Sequence, residues 1–198
     1  MAGRKQFDEE AAIDAAMRVF WADGWHGASL PRLRTATGLS SSSFYNAFGD
    51  KAGLYEKALR RYRDRLGGRM RAGLEQPGIR GAIAAFLAAF TAQLDDPDVP
   101  TGCFAAQACF DTGGSDGVPT ALAAEALEAP RRALLDRLDR AVADGGLPGD
   151  FDTAAYADLI MVTLRGVAAA HRATGDRHWA ENSFALVLDM LPSSSGQT

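Results

Sequence analysis

Cysteine and histidine are scarce in this chain, with 2 Cys and 3 His among 198 residues. Two thiols are too few for a disulfide framework, so a reducing, cytoplasmic setting is the expectation. His26, His171 and His178 show no metal-ligand spacing, and two cysteines do not complete a zinc site. A glycine-rich phosphate loop and a nucleophile-elbow serine motif are also missing, which argues against the common enzyme classes. Neither enzymatic activity nor a cofactor is therefore expected. Long apolar runs are absent too. The longest, residues 82–90, falls far short of a bilayer span, and the chain opens on polar residues. No membrane partner and no secretory leader are expected.

What is present is unevenly charged. The formal net charge is −4, which taken alone argues against nucleic acid. Residues 1–74, however, hold 13 Lys/Arg against 8 Asp/Glu, while the remainder holds 8 against 17. A basic head on an acidic body suits DNA binding at one end only.

The head is organised around residues 29–51, SLPRLRTATGLSSSSFYNAFGDK. Ser29 is a good N-cap, and Leu33 and Ala36 are spaced as one apolar helix face. Gly38 supplies a left-handed stop. Ser40 can cap a second helix, with Phe44 and Phe48 four apart on its buried side. Two short helices around a turn of this length make a helix-turn-helix. Asp50 then caps a third helix and leaves Lys51 at its positive end, a phosphate site by dipole and by charge.

Ser29, Leu33, Gly38, Leu39, Ser40, Ser43, Phe44, Tyr45, Phe48 and Lys51 stand at fixed offsets that resemble the TetR family of bacterial transcriptional regulators. The resemblance continues more loosely to the C-terminus. It implies an all-α fold of about nine helices. A three-helix DNA-binding domain, residues 1–50, would precede a helical ligand-binding and dimerisation domain, residues 51–198, with helix 51–74 linking the two. It also implies a regulator, by family default a repressor, that leaves its operator when a small molecule binds the body.

Serine hydroxyls on the opening of the second motif helix, Ser40, Ser41, Ser42 and Ser43, can donate to or accept from base edges. In the family, positions matching Ser41 and Ser42 commonly read bases, and those matching Ser29, Ser43, Tyr45 and Lys51 hold phosphates. Arg32 and Asn46 are further candidates for contact. Arg34 stands where the family usually has a small alanine, so its guanidinium must point outward or the first motif helix must rotate. Ala47 stands where many members carry a phosphate-binding His or Tyr.

Elsewhere, Asp8 caps the first helix and Gly24 closes it, with Trp25 bracing the motif. One long helix runs from 50 to about 74, interrupted at Gly67-Gly68, a candidate flex point. Its arginine cluster reads as a solvated, salt-bridged surface. Helices follow at 79–94, 101–110, 120–144, 153–174 and 176–191. Residues 1–6, 111–119 and 193–198 read as mobile by composition.

The resemblance places a cavity among the middle helices. Phe86, Phe90, Phe104, Phe110 and Met161 are candidates for its wall, and Gln107, Tyr156 and Arg165 for its polar anchors. The last two helices carry more apolar residues than one packed face needs. Leu159, Val162, Gly166, Ala170, Leu186 and Leu191 are candidates for the seam of a homodimer, the family arrangement being a four-helix bundle with a twofold mate. A wide core of a monomer is the alternative. Cys103, after a glycine at a helix start, can be either an inert core thiol or, as in some family members, a sensor of electrophiles or oxidants. Cys109 lies about 120° round the helix from it, which disfavours a disulfide between them. A helical ligand-binding module without DNA binding is the remaining reading.

Overall fold

Side-chain caps set where the N-terminal helices begin. In the computed structural model, which describes residues 7–111 and 120–192, Asp8 accepts the Ala11 N–H at the start of α1 (Glu9–Gly27). Ser29 accepts the Arg32 N–H ahead of α2 (Leu30–Thr37), and Gly38 ends that helix at φ 68°. Ser40 accepts the Ser43 N–H ahead of α3 (Ser41–Phe48), and Asp50 accepts the Gly53 N–H ahead of α4 (Lys51–Leu74). The sequence placed the end of the first helix at Gly24. Its φ of 70° and ψ of 179° instead kink α1, which turns on to Gly27. Ala36 is exposed, so Leu33, buried, and Leu30, half-buried, anchor α2. Arg34 does not point freely outward: it is half-buried, and its Nε lacks a partner.

The body consists of α5 (Ile79–Leu94), α6 (Phe104–Asp111), α7 (Thr120–Ala143), α8 (Thr153–Thr174) and α9 (His178–Asp189). The described residues thus form nine helices and no strand, as the resemblance implied. Gly67-Gly68 leaves α4 unbroken, because Leu66 and Met70 on either side are buried and hold the turn by packing. The glycine that matters for packing is Gly73. A Cβ there would lie 2.8 Å from the Ala85 carbonyl carbon, so α4 and α5 touch backbone to backbone. One apolar core runs from Ala12 of α1 to Leu191 past α9, without a gap at residue 50.

Segments 1–6 and 193–198, and residues 112–119 of the third segment expected to be mobile, lie outside the described residues. The described remainder of that segment, Asp111, is buried and closes α6. α8 is long and apolar enough by composition to cross a bilayer, which the run-length argument overlooked. It packs one face into this core through Ile160, Leu164 and Val167, as core helices of similar composition do.

Candidate nucleic-acid interface and ligand cavity

α3 buries Phe44 and Phe48 and turns its other side outward. Ser41, Ser42 and Asn46 are exposed, and Tyr45 is 50% exposed. The serines are partly committed to each other. Ser40 Oγ lies 3.1 Å from Ser42 Oγ and donates to Ser43 Oγ at 3.0 Å, as well as capping the helix. Among the four, Ser41 has the least committed hydroxyl. Arg32 is held on Asp23 at 2.5 Å, so its guanidinium already has an acid. Ser29 caps α2. The structure thus brings Ser40–Ser43, Tyr45 and Asn46 onto one short helix, with Ser29 and Lys51 at the neighbouring helix starts.

Lys51 is placed differently from the other charged residues of the head. Its ammonium donates to the Trp25 carbonyl and sits 4.4 Å from the centre of the Trp25 ring. Burial holds it below the ordinary lysine range, with the nearby Asp111 carboxylate opposing that shift. Trp25 stacks on Phe20 and meets Tyr55 edge-on, which fixes the ring under the lysine. In this conformation Lys51 ties the start of α4 to the end of α1.

That corner is governed by a residue the sequence reading passed over. Asp111, the last residue of α6, is buried and accepts the Trp25 N–H at 3.0 Å, the Tyr55 hydroxyl at 3.3 Å and the Gln107 amide at 3.2 Å. Burial and the Asp111 carboxylate push the Tyr55 phenol well above its usual range. Gly24 fits beneath this group because it lacks a side chain: a Cβ there would lie 3.0 Å from both Asp111 Oδ1 and Gln107 Nε2. From α8, Arg172 donates to the carbonyls of Trp21 at 3.0 Å and Ala22 at 2.8 Å. The only sequence signal for Asp111 was a single acid closing an otherwise uncharged octet, FAAQACFD.

In the arginine cluster of α4, Arg60, Arg61, Arg63 and Arg65 are salt-bridged, as expected. Arg61 meets Asp14 at 2.5 Å, Arg65 meets the same acid at 3.0 Å, and Arg63 meets Asp64 and Glu125, each at 3.0 Å. These pairs clamp α1 and α7 onto α4.

A cavity lies among α4, α5, α6, α7 and α8. Leu66, Met70, Phe90, Pro130, Met161 and Leu164 form its apolar wall. About 30 Å³ admits solvent-sized molecules, within about 460 Å³ of interatomic space that includes its mouth. That is room for about two waters at most, so a drug-sized ligand has to push helices apart. Of the residues proposed from sequence for the cavity, Phe90, Met161 and Arg165 line it, and so does Cys103, which was considered only as a reactive thiol. The others do not. Phe86 is core, and Phe104 packs against Trp21, Tyr55 and Tyr62. Gln107 serves Asp111, and the Tyr156 hydroxyl donates to the Val187 carbonyl. Phe110 is 75% exposed, because α6 turns that side to the surface. Cys103 accepts from the Tyr62 hydroxyl at 3.1 Å, and Gln93 in turn donates to Tyr62 at 2.9 Å. Tyr62 was missed because, four residues from both Ala58 and Leu66 on α4, it reads equally well as core.

On the outer side of α8 and α9, Val162 is 70% and Leu186 68% exposed, with Leu159, Gly166 and Met190 exposed beside them and Ala170 half-buried. Leu191, expected on this seam, is buried inside the chain, because the turn after α9 folds it back onto the core.

Comparison with known proteins gives a consistent result. Residues 12–58 match the family model described as bacterial regulatory proteins, tetR family. Residues 79–186 match that for the tetracyclin repressor-like C-terminal domain. The HTH-type transcriptional repressor ComR of Escherichia coli (strain K12) is 31% identical over 172 residues, which cover 85% of this chain and 81% of that protein. A cysteine mutant of the TetR family transcriptional regulator CifR, solved in complex with 26bp double-strand operator DNA, shares 31% identity at a TM-score of 0.87. That match covers 96% of this chain and 99% of that one. A TetR transcriptional regulator from Chloroflexus aurantiacus J-10-FL, at 20% identity and TM-score 0.83, shares the fold. With a capped helix-turn-helix, a helical body matched over more than half the chain, and a relative of this identity, the chain belongs to the TetR family of bacterial regulatory proteins.

Proposed function

We infer that this protein is a ligand-responsive, DNA-binding transcriptional regulator of the cytoplasm, acting as a repressor. The observation that carries the reading is the exposed face of α3 on a head whose α1 and α4 share one core with a cavity-bearing body. Ser41, Ser42 and Asn46 face base edges in the major groove, where serine discriminates weakly and DNA shape supplies part of the specificity. Ser29, Ser40, Ser43 and Tyr45 fix register on phosphates, joined by Arg32 and Lys51 when they leave Asp23 and Trp25. Residues 1–50 act as the reading head and residues 51–198 as the sensing and pairing body.

An operator held firmly needs two heads, with half-sites about one helical turn or a multiple apart. Leu159, Val162 and Leu186, with Gly166 and Ala170 between them, form the seam of a homodimer, since a soluble chain seldom exposes such a patch without a partner. An effector that enters the cavity parts α4 from α7 and α8, and α4 carries the displacement to Lys51 and α3. Moving the bound fraction from nearly all to nearly none takes about 5 kcal/mol of differential binding.

The test is a gel-shift series with the DNA upstream of the protein's own gene, using the full chain. Retardation is expected for wild type. Lys51→Ala should weaken binding to every sequence and lower the salt dependence by about one unit. Ser41→Ala and Ser42→Ala should change preference among operators. Failure of the wild type to retard any such fragment would overturn the regulatory reading, and unchanged affinity in Lys51→Ala would remove that phosphate contact. In ultracentrifugation, Val162→Glu with Leu186→Glu should turn a dimer into monomers.

A second reading is favoured by one observation: Cys103 lines the cavity and accepts a hydrogen bond from Tyr62. An electrophile or oxidant that modifies this thiol would break that contact from within. Release of DNA by a thiol-alkylating agent, abolished in Cys103→Ser, is the expected result; release unchanged in that variant ends the thiol reading.

A further inference from the structure

The charged groups around the cavity are all of one sign. Among the described residues lining it are Arg63, Arg71 and Arg165, and not one Asp or Glu. Arg63 is neutralised from outside the lining by Asp64 and Glu125. Arg71 is exposed to water. Arg165 is neither. It is half-buried, its Nε is shut off from solvent, and no hydrogen bond or ion pair reaches it from any described residue. A guanidinium nitrogen shut off from water without an acceptor is costly, whereas the same group opposite a carboxylate forms two parallel charge-assisted hydrogen bonds.

We propose that this cavity binds a small molecule that carries a carboxylate on an otherwise apolar body, with the Arg165 guanidinium as its counter-ion. The proposal rests on the regulatory reading above and names the chemical class of the effector. The other polar group deep in the cavity does not compete for the acid, because the Tyr62 hydroxyl donates to Cys103 and receives Gln93. With Arg71 on the solvent side, Arg165 is the fork with a partnerless buried Nε, and its planar geometry matches a planar carboxylate. Leu66, Met70, Phe90 and Met161 take the apolar body. Since the closed cavity holds about two waters at most, the anion enters only as α4 and α8 separate, and this couples its binding to the head.

The experiment compares benzoate, cinnamate, 4-phenylbutyrate and octanoate with the primary amide of each. Calorimetry on the full-length dimer measures affinity, and a gel shift on the upstream DNA runs in parallel. At least one acid should bind ten-fold or more tightly than its amide, and Arg165→Gln should bring that acid down to the level of the amide. Arg165→Lys, a point charge without the fork, should restore part of the difference. Ligand-free Arg165→Gln should melt no lower than wild type, since no contact is lost; a melting point several degrees lower makes Arg165 a structural residue and overturns the proposal. So does an acid preference that survives Arg165→Gln, or a set in which no acid outbinds its amide ten-fold. DNA retarded by the free protein and released by an amide as readily as by its acid leaves the regulatory reading standing and the proposal lost. Acid preference intact with no DNA retarded does the reverse.

Discussion

Arg165 and Arg172 lie seven residues apart on α8, about two turns along nearly the same side, yet their surroundings are opposite. Arg172 donates to the carbonyls of Trp21 and Ala22, which the kink at Gly24 leaves open near the end of α1. Arg165 faces an apolar cavity with no acceptor at its Nε. α6 repeats the contrast. Asp111 at its end satisfies three donors at the junction with the head, while Ala105 near its start lines the cavity. The junction is a polar network in which Asp111 and Arg172 each have their partners. The cavity has an apolar wall with the unpartnered Nε of Arg165 beside it. Two helices, α6 and α8, connect them.

The largest expected effect comes from breaking the junction. Gly24→Ala puts a methyl 3.0 Å from Asp111 and Gln107 at a backbone conformation that only glycine holds easily. Strain and overpacking together should cost about 3 kcal/mol or more, read as a fall in melting temperature with loss of DNA retardation. Next is Asp111→Ala, which strands the part-buried Trp25 N–H and the buried Tyr55 hydroxyl. About 2 kcal/mol is expected, with operator affinity lowered because Trp25 no longer holds its place under Lys51. Chemical denaturation of the variant measures this directly.

The comparison is sharpened by the two arginines themselves. Arg172→Met should lose about 1 kcal/mol, reduced because that side chain is exposed, whereas Arg165→Met should lose nothing or gain slightly. Equal losses in the two variants would mean that the contrast between the two arginines is not real.

A smaller effect lies at the α1–α4 clamp. The hydrogen bond from Arg61 holds the Asp14 carboxyl below its usual range, with Arg65 and Arg61 charges adding to it against partial burial. A depressed folded value means the stabilisation is present above the unfolded value of about 3.9 and is lost as pH falls through the folded one. Asp14→Asn should therefore flatten the acid limb of the stability curve below about pH 4, by on the order of 1 kcal/mol or less, and leave the alkaline limb unchanged.

How much of the site was legible depended on reach along the chain. Ser40 and Asp50 were readable because each caps an amide three residues ahead, and Phe44 and Phe48 because helix geometry puts them on one side. Phe110 and Leu191 were misplaced because periodicity shows that a residue is apolar and not which neighbour it meets. Tyr156 was misplaced for a related reason: nothing near it in sequence announces that its hydroxyl belongs to Val187, 31 residues on.

The sequence by itself determined the helices, their caps, the helix-turn-helix and the basic head on an acidic body, because capping and periodicity act over about four residues. Only the tertiary structure decided that Lys51 turns onto Trp25, that Asp111 governs the corner, and that Arg165 is left unpaired while Arg172 is not. These contacts join residues as far apart as 86 positions for Asp111 and Trp25, and 150 for Arg172 and Ala22. Which partner a side chain meets over such distances is set by how helices pack, and no local pattern encodes it.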